Sequence, residues 1–281
     1  MGSDKVTLHP SYPIKTVAAA ISFSPYGQAI LGEARRLSEA LGASLIIVHV
    51  GEKTDENEQQ MNEMLSGCKI DYDSSRVIWM EGDEVKVILE LCTLNKVDLL
   101  VLGARVKENI FKFYIGSVAR RICRKAKCSV MLITSPLAQP HEYNKMVING
   151  ADDPKTENTI NTAFYLAQRL KTKEVYIANE LDTKLSMIAD VNIKSELKTK
   201  QDYVKAIIQK HENPDMSVYG KTLRGKSGFA ISKFAKTKKA DLLVVNSPDT
   251  QLNVMDRIFT HDMEFILASL PCNLLIVQPK I

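Results

Sequence analysis

The chain carries the same order of apolar segments twice. The segment DLLVLG at Asp98–Gly103 returns 143 residues later as DLLVVN at Asp241–Asn246. The segment CSVMLI at Cys128–Ile133 returns 144 residues later as CNLLIV at Cys272–Val277. A repeat of this length has the size of a whole domain, whereas solenoid repeats span only about 20–50 residues. The sequence therefore predicts a duplicated domain.

The segment Leu137–Asn144, which contains Pro140, separates the two copies and is the natural linker. The chain has 281 residues, so each copy is long enough to bury a core. We expect a first domain over residues 1–138 and a second, degenerate domain over residues 145–281.

Each copy alternates short apolar strands with stretches of helical period. Near-continuous Leu, Ile and Val strands between amphipathic helices indicate a parallel sheet that is covered on both faces. The sequence therefore predicts an α/β fold with two tandem doubly wound domains, each of order βαβαβαβαβ. In the first copy the predicted strands are Thr16–Ile21, Ser44–Val50, Arg76–Met80, Asp98–Gly103 and Ser129–Thr134.

The end of the fourth strand and the start of the next helix offer a site for phosphate. In an open parallel sheet, ligands bind beyond the carboxyl ends of the strands, beside the first strand. Gly103 ends the fourth strand, and Gly116-Ser117 opens the following helix. A glycine lets the backbone approach a ligand, and a helix N-terminus offers free N–H groups and the positive end of its dipole. The alternative is that Gly103 only turns the chain and Ser117 only caps the helix.

Three segments of the first copy resemble the universal stress protein family. They are ISFSPYGQAI at Ile21–Ile30, the strand that ends at His49-Val50, and the pattern G-x2-V-x9-G-S that begins at Gly103. The resemblance spans the first half, and a distant echo covers the second. It implies an adenine nucleotide alpha hydrolase-like fold, with five parallel strands in the order 3-2-1-4-5 in each domain. It also implies ATP or AMP binding in some members, and paired domains whose last strands pair with each other.

By this resemblance, the candidate ligand of the first domain is ATP or AMP. Three residues at the loop and helix start would contact phosphate, and three at the strand ends would line the nucleoside end. The phosphate group is Gly103, Gly116 and Ser117, and the nucleoside group is Ala20, Ser22 and Val50. Arg105 and Val118 complete the set of candidate binding residues.

The sequence departs from the family's binding pattern at two positions. Ser22 stands where nucleotide-binding members have Asp, although Ser24 keeps its place, and Val106 stands where they have a second glycine. Loss of a charged hydrogen-bond acceptor costs about 1.5–3 kcal/mol, and a β-branched residue at positive φ costs about 1–2 kcal/mol. Together these costs lower the affinity by about two to three decades. We therefore expect weak nucleotide binding in the first domain.

The second copy has the opposite departures. Asp152, with Asp153 beside it, follows the first strand, where the family's Asp belongs. The phosphate loop is replaced by Asn246-Ser247-Pro248-Asp249 and by Phe259-Thr260. Because the phosphate cradle is lost and paired carboxylates repel phosphate, we expect no nucleotide in the second domain.

A second phosphate motif lies at Gly220–Ser227, where GKTLRGKS matches the Walker A pattern GxxxxGK[ST]. We predict a strand at Ser217–Tyr219 before it and a helix at Gly228–Lys236 after it. That strand is the third of its domain, which the 3-2-1-4-5 order places at a sheet edge, away from the ligand crevice. No strand ending in Asp follows to hold Mg²⁺. An NTPase that uses Lys226 stays open as an alternative.

Composition argues against several other classes of protein. The chain has five cysteines, no CxxC pair and mostly apolar surroundings for them, which indicates reduced core thiols and a cytoplasmic location. No run approaches 18 apolar residues, so we expect no membrane insertion. The net charge is +4 without a basic stripe interleaved with aromatics, so we expect no nucleic-acid partner. The five histidines show no metal-ligand spacing, and we expect no metal site.

Two further features have simple structural interpretations. His49 lies inside an apolar strand, which predicts a hydrogen-bonded core histidine. The one tight basic cluster is typical of the solvated face of a helix. Its residues are Arg120, Arg121, Arg124, Lys125 and Lys127.

These features favour a stress-response regulatory or binding protein over an enzyme. We expect an adenine nucleotide as ligand, an unidentified protein partner, and an intramolecular pseudo-dimer that could associate further as a homodimer. The first alternative is a nucleotide-free protein-interaction module. Similar tandem domains occur as cytoplasmic regulatory tails of cation/proton antiporters, so such a tail is one form of this alternative. The second alternative is the NTPase acting through the Walker A-like segment.

Overall fold

A computed structural model gives the fold of most of the chain. It describes residues 9–24, 26–71, 76–107, 112–134, 142–150, 153–181, 202–211, 213–248, 261–268 and 270–280. For residues 105–107, 112–114, 261 and 262 it describes the backbone alone.

Strands and helices alternate along both halves of the chain. The first half contains β1 (Thr16–Ala20), α1 (Gly27–Leu41), β2 (Ser44–Val50), α2 (Asp55–Gly67), β3 (Arg76–Met80), α3 (Glu84–Leu94), β4 (Leu99–Gly103), β5 (Arg105–Lys107), β6 (Lys112–Tyr114), α4 (Ser117–Lys125) and β7 (Ser129–Ile133). The second half contains β8 (Lys145–Asn149), α5 (Thr156–Leu170), β9 (Glu174–Leu181), α6 (202–210), β10 (Ser217–Arg224), α7 (Phe229–Lys238), β11 (Leu242–Asn246), α8 (His261–Ala268) and β12 (Asn273–Val277).

Short polar residues and glycine set the ends of the first three helices. Thr54 accepts a hydrogen bond from the Asn57 amide at the start of α2, and Asp83 accepts one from the Lys86 amide at the start of α3. Gly42 ends α1 in the left-handed conformation, at φ 64°. The predicted glycine C-cap of this helix is therefore confirmed.

The main sheet has ten strands in the order β10-β9-β8-β11-β12-β7-β4-β1-β2-β3. In the first half all neighbours are parallel, and the order is the predicted 3-2-1-4-5. The second half repeats this order and joins the first through antiparallel pairing of β7 with β12, where Met131 faces Leu275. The expected pairing of the two last strands is present.

The core consists of two apolar layers, one on each face of the sheet. Successive residues of a strand point to opposite faces, so Ala18 of β1 belongs to one layer while Val17 and Ala19 belong to the other. Each layer contains residues from both halves of the chain. The two halves therefore share their core across the β7–β12 pair. All five cysteines are buried and unpaired by disulfides, as predicted for reduced core thiols.

Polar contacts also cross between the two halves. The Tyr143 hydroxyl donates a hydrogen bond to a Glu33 carboxylate oxygen over 2.6 Å, and both side chains are buried. The Thr134 amide donates to the Asn273 side-chain oxygen over 2.9 Å. The predicted limits at residues 138 and 145 stay predictions, because residues 135–141 lie outside the described part of the chain.

The basic cluster of α4 is not simply a solvated helix face. Arg120 and Arg124 both pair with Glu264 of α8, in the other half of the chain. Arg121 pairs with Asp83, at the start of α3, over 3.5 Å. The sequence missed these pairs because Glu264 lies 144 residues from Arg120. The cluster therefore connects α4 to its neighbours.

The segment between β4 and α4 is not an open loop. Residues 105–107 and 112–114 form a two-stranded antiparallel hairpin, β5–β6, apart from the main sheet. The β6 strand lies against α8. The candidate phosphate loop of the first half is thus interrupted by a hairpin that reaches the second half.

Candidate functional site

A cavity of about 380 Å³ opens beyond the carboxyl ends of β1, β2 and β4. This is the point where β1 has β2 on one side and β4 on the other, as expected for a ligand crevice. The predicted residues that line it are Ala20, Ser22, Val50, Gly103, Gly116, Ser117 and Val118. The eighth, Arg105, begins β5, and its side chain lies outside the described part of the structure. That these residues bind a nucleotide stays a prediction.

Gly103 packs closely against the end of the Ile30 side chain at the floor of the cavity. A Cβ atom at this position would lie 2.3 Å from the Cδ1 atom of Ile30, which also lines the cavity. A larger residue would therefore displace the Ile30 side chain or occupy the cavity itself. Because Gly103 has no side chain, nothing covers the backbone at the end of β4 on the cavity side.

The start of α4 presents bare backbone amides to the cavity. The residue that caps this helix is Gly116, at φ −66° and ψ 162°, and no side chain supplies a capping hydrogen bond. Ser117 is the first helical residue rather than the cap, so the alternative role of Ser117 as a simple helix cap is wrong. The first N–H groups of a helix have no partner within it, and the helix dipole makes this end positive. The arrangement suits an anion.

A tight turn after β1 positions the other side of the cavity. The Gly27 amide donates a hydrogen bond to the Ser24 carbonyl over 2.9 Å. A Cβ atom on Gly27 would lie 2.1 Å from the Ser22 carbonyl oxygen, so only glycine fits there. This close contact fixes Tyr26 at the mouth of the cavity, where its side chain is 50% exposed.

His49 stabilises the start of the same turn through a contact with the Ile21 carbonyl. Its Nδ1 atom lies 3.0 Å from the Ile21 carbonyl oxygen, and the side chain is buried against the rings of Phe23 and Trp79. Burial lowers the pKa of His49, while the hydrogen bond to Ile21 acts in the opposite direction. His49 is therefore neutral at pH 7 and donates from Nδ1 to that carbonyl. The predicted hydrogen-bonded core histidine is confirmed.

Among the lining residues that the sequence did not single out, two have polar side chains. They are Tyr26, which precedes α1, and Glu84, which begins α3. Among the described lining residues, Glu84 has the sole charged side chain. The sequence could have indicated these two residues by their position alone. One lies just before a helix and the other at the start of a helix, and both helices begin near the crevice. The sequence motifs did not indicate these two residues, because the motifs lie at the ends of the first and fourth strands.

At the corresponding place in the second half, two hydrogen bonds connect described residues across the strand ends. Thr156 begins α5 where Gly27 begins α1, and Asn246 ends β11 where Gly103 ends β4. The Asn246 amide donates a hydrogen bond to the Thr156 hydroxyl over 3.0 Å. In addition, Lys155 donates from Nζ to the Ser247 carbonyl over 2.7 Å. These two bonds bridge the gap that stays open in the first half.

Part of the acidic segment predicted in the second half can be placed. Asp153 accepts a hydrogen bond from the Lys155 amide over 2.7 Å, so one of its carboxylate oxygens is used within the turn. The other predicted positions, Asp152, Asp249, Phe259 and Thr260, lie outside the described residues.

The Walker A-like segment does not form a phosphate-binding loop. The predicted strand Ser217–Tyr219 instead continues to Arg224 as β10, so Gly220 to Arg224 are extended and pair with β9. A P-loop needs these residues to curve around phosphate with their amides pointing inward, which a paired strand prevents.

At the start of α7, a carboxylate binds the groups that would bind phosphate in a P-loop. Glu180 accepts hydrogen bonds from the Gly228 amide over 2.9 Å, the Ile231 amide over 2.8 Å and the Ser227 hydroxyl over 3.1 Å. Lys226, which would reach the terminal phosphates, lies over the Phe265 ring at 4.2 Å. The segment therefore lacks the geometry that a Walker A motif requires, and the NTPase alternative is wrong.

The described residues lack two further features. In that part of the chain, no helix is both long and apolar enough to span a bilayer. The same residues contain no group of three His, Cys, Asp or Glu side chains placed to hold a metal ion.

Sequence comparison connects the first half to one family. Residues 52–134 match the model of the Universal stress protein family. A universal stress protein of Methanocaldococcus jannaschii is 33% identical over 57 residues, or 20% of this chain. The match spans about a third of that relative's length, 34%.

Solved structures resemble the chain over nearly its whole length. A protein described as a universal stress protein of Pseudomonas aeruginosa UCBPP-PA14 aligns with a TM-score of 0.71 and 13% identity, covering 95% of this chain and 94% of that one. The cytoplasmic domain of a prokaryotic cation chloride cotransporter aligns with a TM-score of 0.57 and 14% identity, covering 96% of each chain. At these identities the likeness is one of fold. The first half of the chain therefore matches the universal stress protein family model over residues 52–134, and the two halves together have the fold of these proteins.

Proposed function

We propose that the first domain binds an adenine nucleotide, AMP or ATP, with low affinity, and that the chain acts as a regulatory binding protein rather than an enzyme. The observation that carries this proposal is the bare N-terminus of α4 at the edge of the 380 Å³ cavity. A cavity of about 300–1,000 Å³ suits a small-molecule ligand.

The phosphate end of the ligand lies at Gly103, Gly116 and Ser117. Backbone amides at the start of α4 and the Ser117 hydroxyl donate hydrogen bonds to phosphate oxygens. The Gly103 backbone leaves room for phosphate because no side chain covers it. Arg105, at the start of the neighbouring hairpin, is the candidate cation for this end.

The nucleoside end lies along β1 and β2, at Ala20, Ser22 and Val50. Ser22 offers a neutral hydroxyl where nucleotide-binding members of the family have a carboxylate. A neutral acceptor gives a weaker hydrogen bond than a charged one, by about 1 kcal/mol or more. The expected affinity is therefore lower than that of members with the carboxylate, by about five-fold or more.

The second domain serves as a partner platform rather than a second site. The bonds of Asn246 to Thr156 and of Lys155 to Ser247 occupy the corresponding place among its described residues, so we expect the nucleotide in the first domain. The two domains form an intramolecular pseudo-dimer through β7 and β12. Buried cysteine thiols suit a reducing compartment, and we infer that the protein works in the cytoplasm.

Mass analysis of co-purifying nucleotide, with calorimetric titration of AMP and ATP, tests this proposal. In Gly116→Val the new side chain lies beside the first amides of α4, and we expect at least a ten-fold loss of affinity. The matched control is Lys226→Ala, which removes the Walker A-like lysine and leaves affinity unchanged if that segment binds no phosphate. Equal nucleotide retention in wild type and Gly116→Val would overturn the proposal.

The alternative function is a nucleotide-free interaction module, including a cytoplasmic regulatory tail of a cation transporter. The observation in its favour is the fold shared with the cytoplasmic domain of a cation chloride cotransporter. This alternative predicts nucleotide-free protein after purification and no thermal shift at millimolar ATP. A shift that Gly116→Val abolishes would exclude it.

A further inference from the structure

The first-domain cavity contains two side chains that have no other described use. The Tyr26 ring is half exposed at the cavity mouth, and no other ring stacks on it among the described residues. The Glu84 carboxylate lines the same cavity and makes no hydrogen bond or ion pair within the described part of the chain. Both an exposed aromatic ring and an unpaired carboxylate at a cavity are available to contact a ligand.

We propose that Tyr26 and Glu84 recognise the nucleoside end of the ligand, Tyr26 by stacking on the base and Glu84 by accepting hydrogen bonds from the ribose hydroxyls. This inference rests on the proposed nucleotide binding of the same cavity. It makes the ligand a ribonucleotide and gives Glu84 the acceptor role that Ser22 cannot fill with a charge.

The position of Tyr26 is fixed by its neighbours rather than by its own contacts. Gly27 packs its Cα against the Ser22 carbonyl, and the Tyr26 carbonyl accepts a hydrogen bond from the Ile30 amide. The backbone from Tyr26 onward is therefore held, which limits the entropy cost of presenting its ring to a ligand. The corresponding residue of the second half is Lys155, whose side chain bonds to protein instead. An aromatic ring occurs only on the side where the cavity is open.

The charges around the cavity favour one orientation of a nucleotide, with its phosphate at the start of α4. The start of α4 carries bare amides and no acidic residue in its first turn, so this end is positive. The start of α3 carries Asp83 as its cap and Glu84 as its first residue, so this end is negative. Asp83 is already used, by the Lys86 amide and by Arg121.

A phosphate would be attracted by α4 and repelled by Glu84, whereas ribose hydroxyls would find an acceptor at Glu84. Anion at one end and hydroxyl donors at the other is the charge pattern of a ribonucleotide. Glu84 lines the same cavity as Val50, where the nucleoside is expected, and α3 packs against both β2 and α4.

Titration with three probes tests this assignment: AMP, 2′-deoxy-AMP and inorganic tripolyphosphate. In Glu84→Gln we expect about a ten-fold loss of AMP affinity and loss of the preference for AMP over its 2′-deoxy form. Affinity for tripolyphosphate should not fall, because that probe has no nucleoside and loses only a repulsion. The matched control is Glu90→Gln, an exposed residue of the same helix that does not line the cavity.

Tyr26 is tested in parallel. Tyr26→Ala should weaken AMP and 2′-deoxy-AMP equally, by about ten-fold, while Tyr26→Phe keeps the wild-type affinity because the ring remains. Thermal melting of each variant checks that the fold is intact.

The outcomes separate this inference from the proposal beneath it. If Gly116→Val weakens AMP but the Glu84 and Tyr26 variants bind like wild type, the assignment is wrong and nucleotide binding stands. Tighter AMP binding in Glu84→Gln also overturns it, since the carboxylate would then only repel phosphate. If the wild type binds neither AMP nor ATP, both fail.

Discussion

At the scale of single residues, two positions decide whether the crevice of each domain is open. Gly27 and Gly103 occupy them in the first domain, and Thr156 and Asn246 occupy them in the second. The glycines allow the start of α1 and the end of β4 to flank a cavity, whereas the threonine and asparagine bond to each other across the gap. One substitution at either position should therefore change the domain's ability to hold a ligand.

Gly103→Asn copies the residue of the second domain into the first. Its Cβ would approach Ile30 to 2.3 Å, so Ile30 must rotate, and the amide would fill part of the cavity. We expect a loss of AMP affinity of at least ten-fold and a decrease of about 1–3 kcal/mol in the free energy of unfolding. Calorimetric titration and urea denaturation measure the two effects. The control is Gly42→Asn, at a left-handed helix end with nothing within 4 Å of the new Cβ, where both quantities should change little.

His49 should make stability depend on pH on the acid side. Burial lowers its pKa from the ordinary 6.5, so below pH 6.5 the unfolded chain binds a proton that the folded protein does not. The free energy of unfolding contributed by His49 is thus present above pH 6.5 and is lost as the pH falls through the lowered pKa. We expect His49→Phe to show a smaller decrease in stability between pH 7 and 5 by urea denaturation. Part of the decrease should remain, because burial also lowers the pKa of His211. Identical pH profiles for the two proteins would contradict this role.

At the scale of helices and strands, α4 belongs to both the cavity and the domain contact. Its first residue, Ser117, lines the cavity, while Arg120 and Arg124 on its following turns pair with Glu264 of α8. The β5–β6 hairpin just before it also lies against α8. The helix that presents its amides to a ligand is therefore held by the second domain.

Glu264→Gln removes the carboxylate that two arginines share. All three side chains are about one-third exposed, so solvent screens the pairs, and we expect a loss of about 1 kcal/mol or less in unfolding free energy. The loss should shrink in high salt, because screening weakens the pair in the wild type. Urea denaturation at low and high salt measures it, with Glu90→Gln as the control. An equal loss at both salt concentrations would mean that the contact is not electrostatic.

Several strands were predictable to within one residue. The strands Ser44–Val50 and Arg76–Met80 have the predicted limits, although the second is a partly exposed edge strand. The β10 strand was cut short at Tyr219 because Gly220 and Gly225 match a loop motif and an exposed edge strand shows no apolar alternation. The β5–β6 hairpin was missed for the same lack of an apolar pattern.

Some candidate binding residues could likewise be predicted from the sequence, and others could not. Residues at strand and helix ends could be placed from the order of elements, since parallel strands bring their carboxyl ends to one edge. Tyr26 and Glu84 come from helices whose starts converge only in the folded chain, and the closure of the second domain depends on a bond between Thr156 and Asn246, 90 residues apart. Such pairs leave no local pattern.

At the scale of the whole molecule, the two domains behave as halves of one sheet. The last strands pair antiparallel, and both apolar layers cross the junction. The β7 strand is fully buried in this arrangement, so it has no exposed edge. A chain that ended after the first domain would expose that edge together with an apolar surface.

Residues 1–138 expressed alone should therefore dimerise. The antiparallel β7–β12 contact already mimics a two-fold dimer, and a second copy of β7 offers a similar apolar strand. We expect a dimer by light scattering coupled to size-exclusion chromatography, with AMP affinity similar to that of the full chain. A stable monomer would show that the first domain does not need a sheet partner.

The central claim is that a single site, in the first domain, holds the nucleotide. An NMR titration of amide-labelled full-length protein with AMP tests it most directly, because it reports each amide separately and tolerates weak affinity. We expect saturable shifts at Gly103, Gly116 and Ser117, with a dissociation constant on the order of millimolar, and none at Asn246 or Thr156. Shifts at the second-domain residues, or no saturable shift at the first-domain ones, would contradict it.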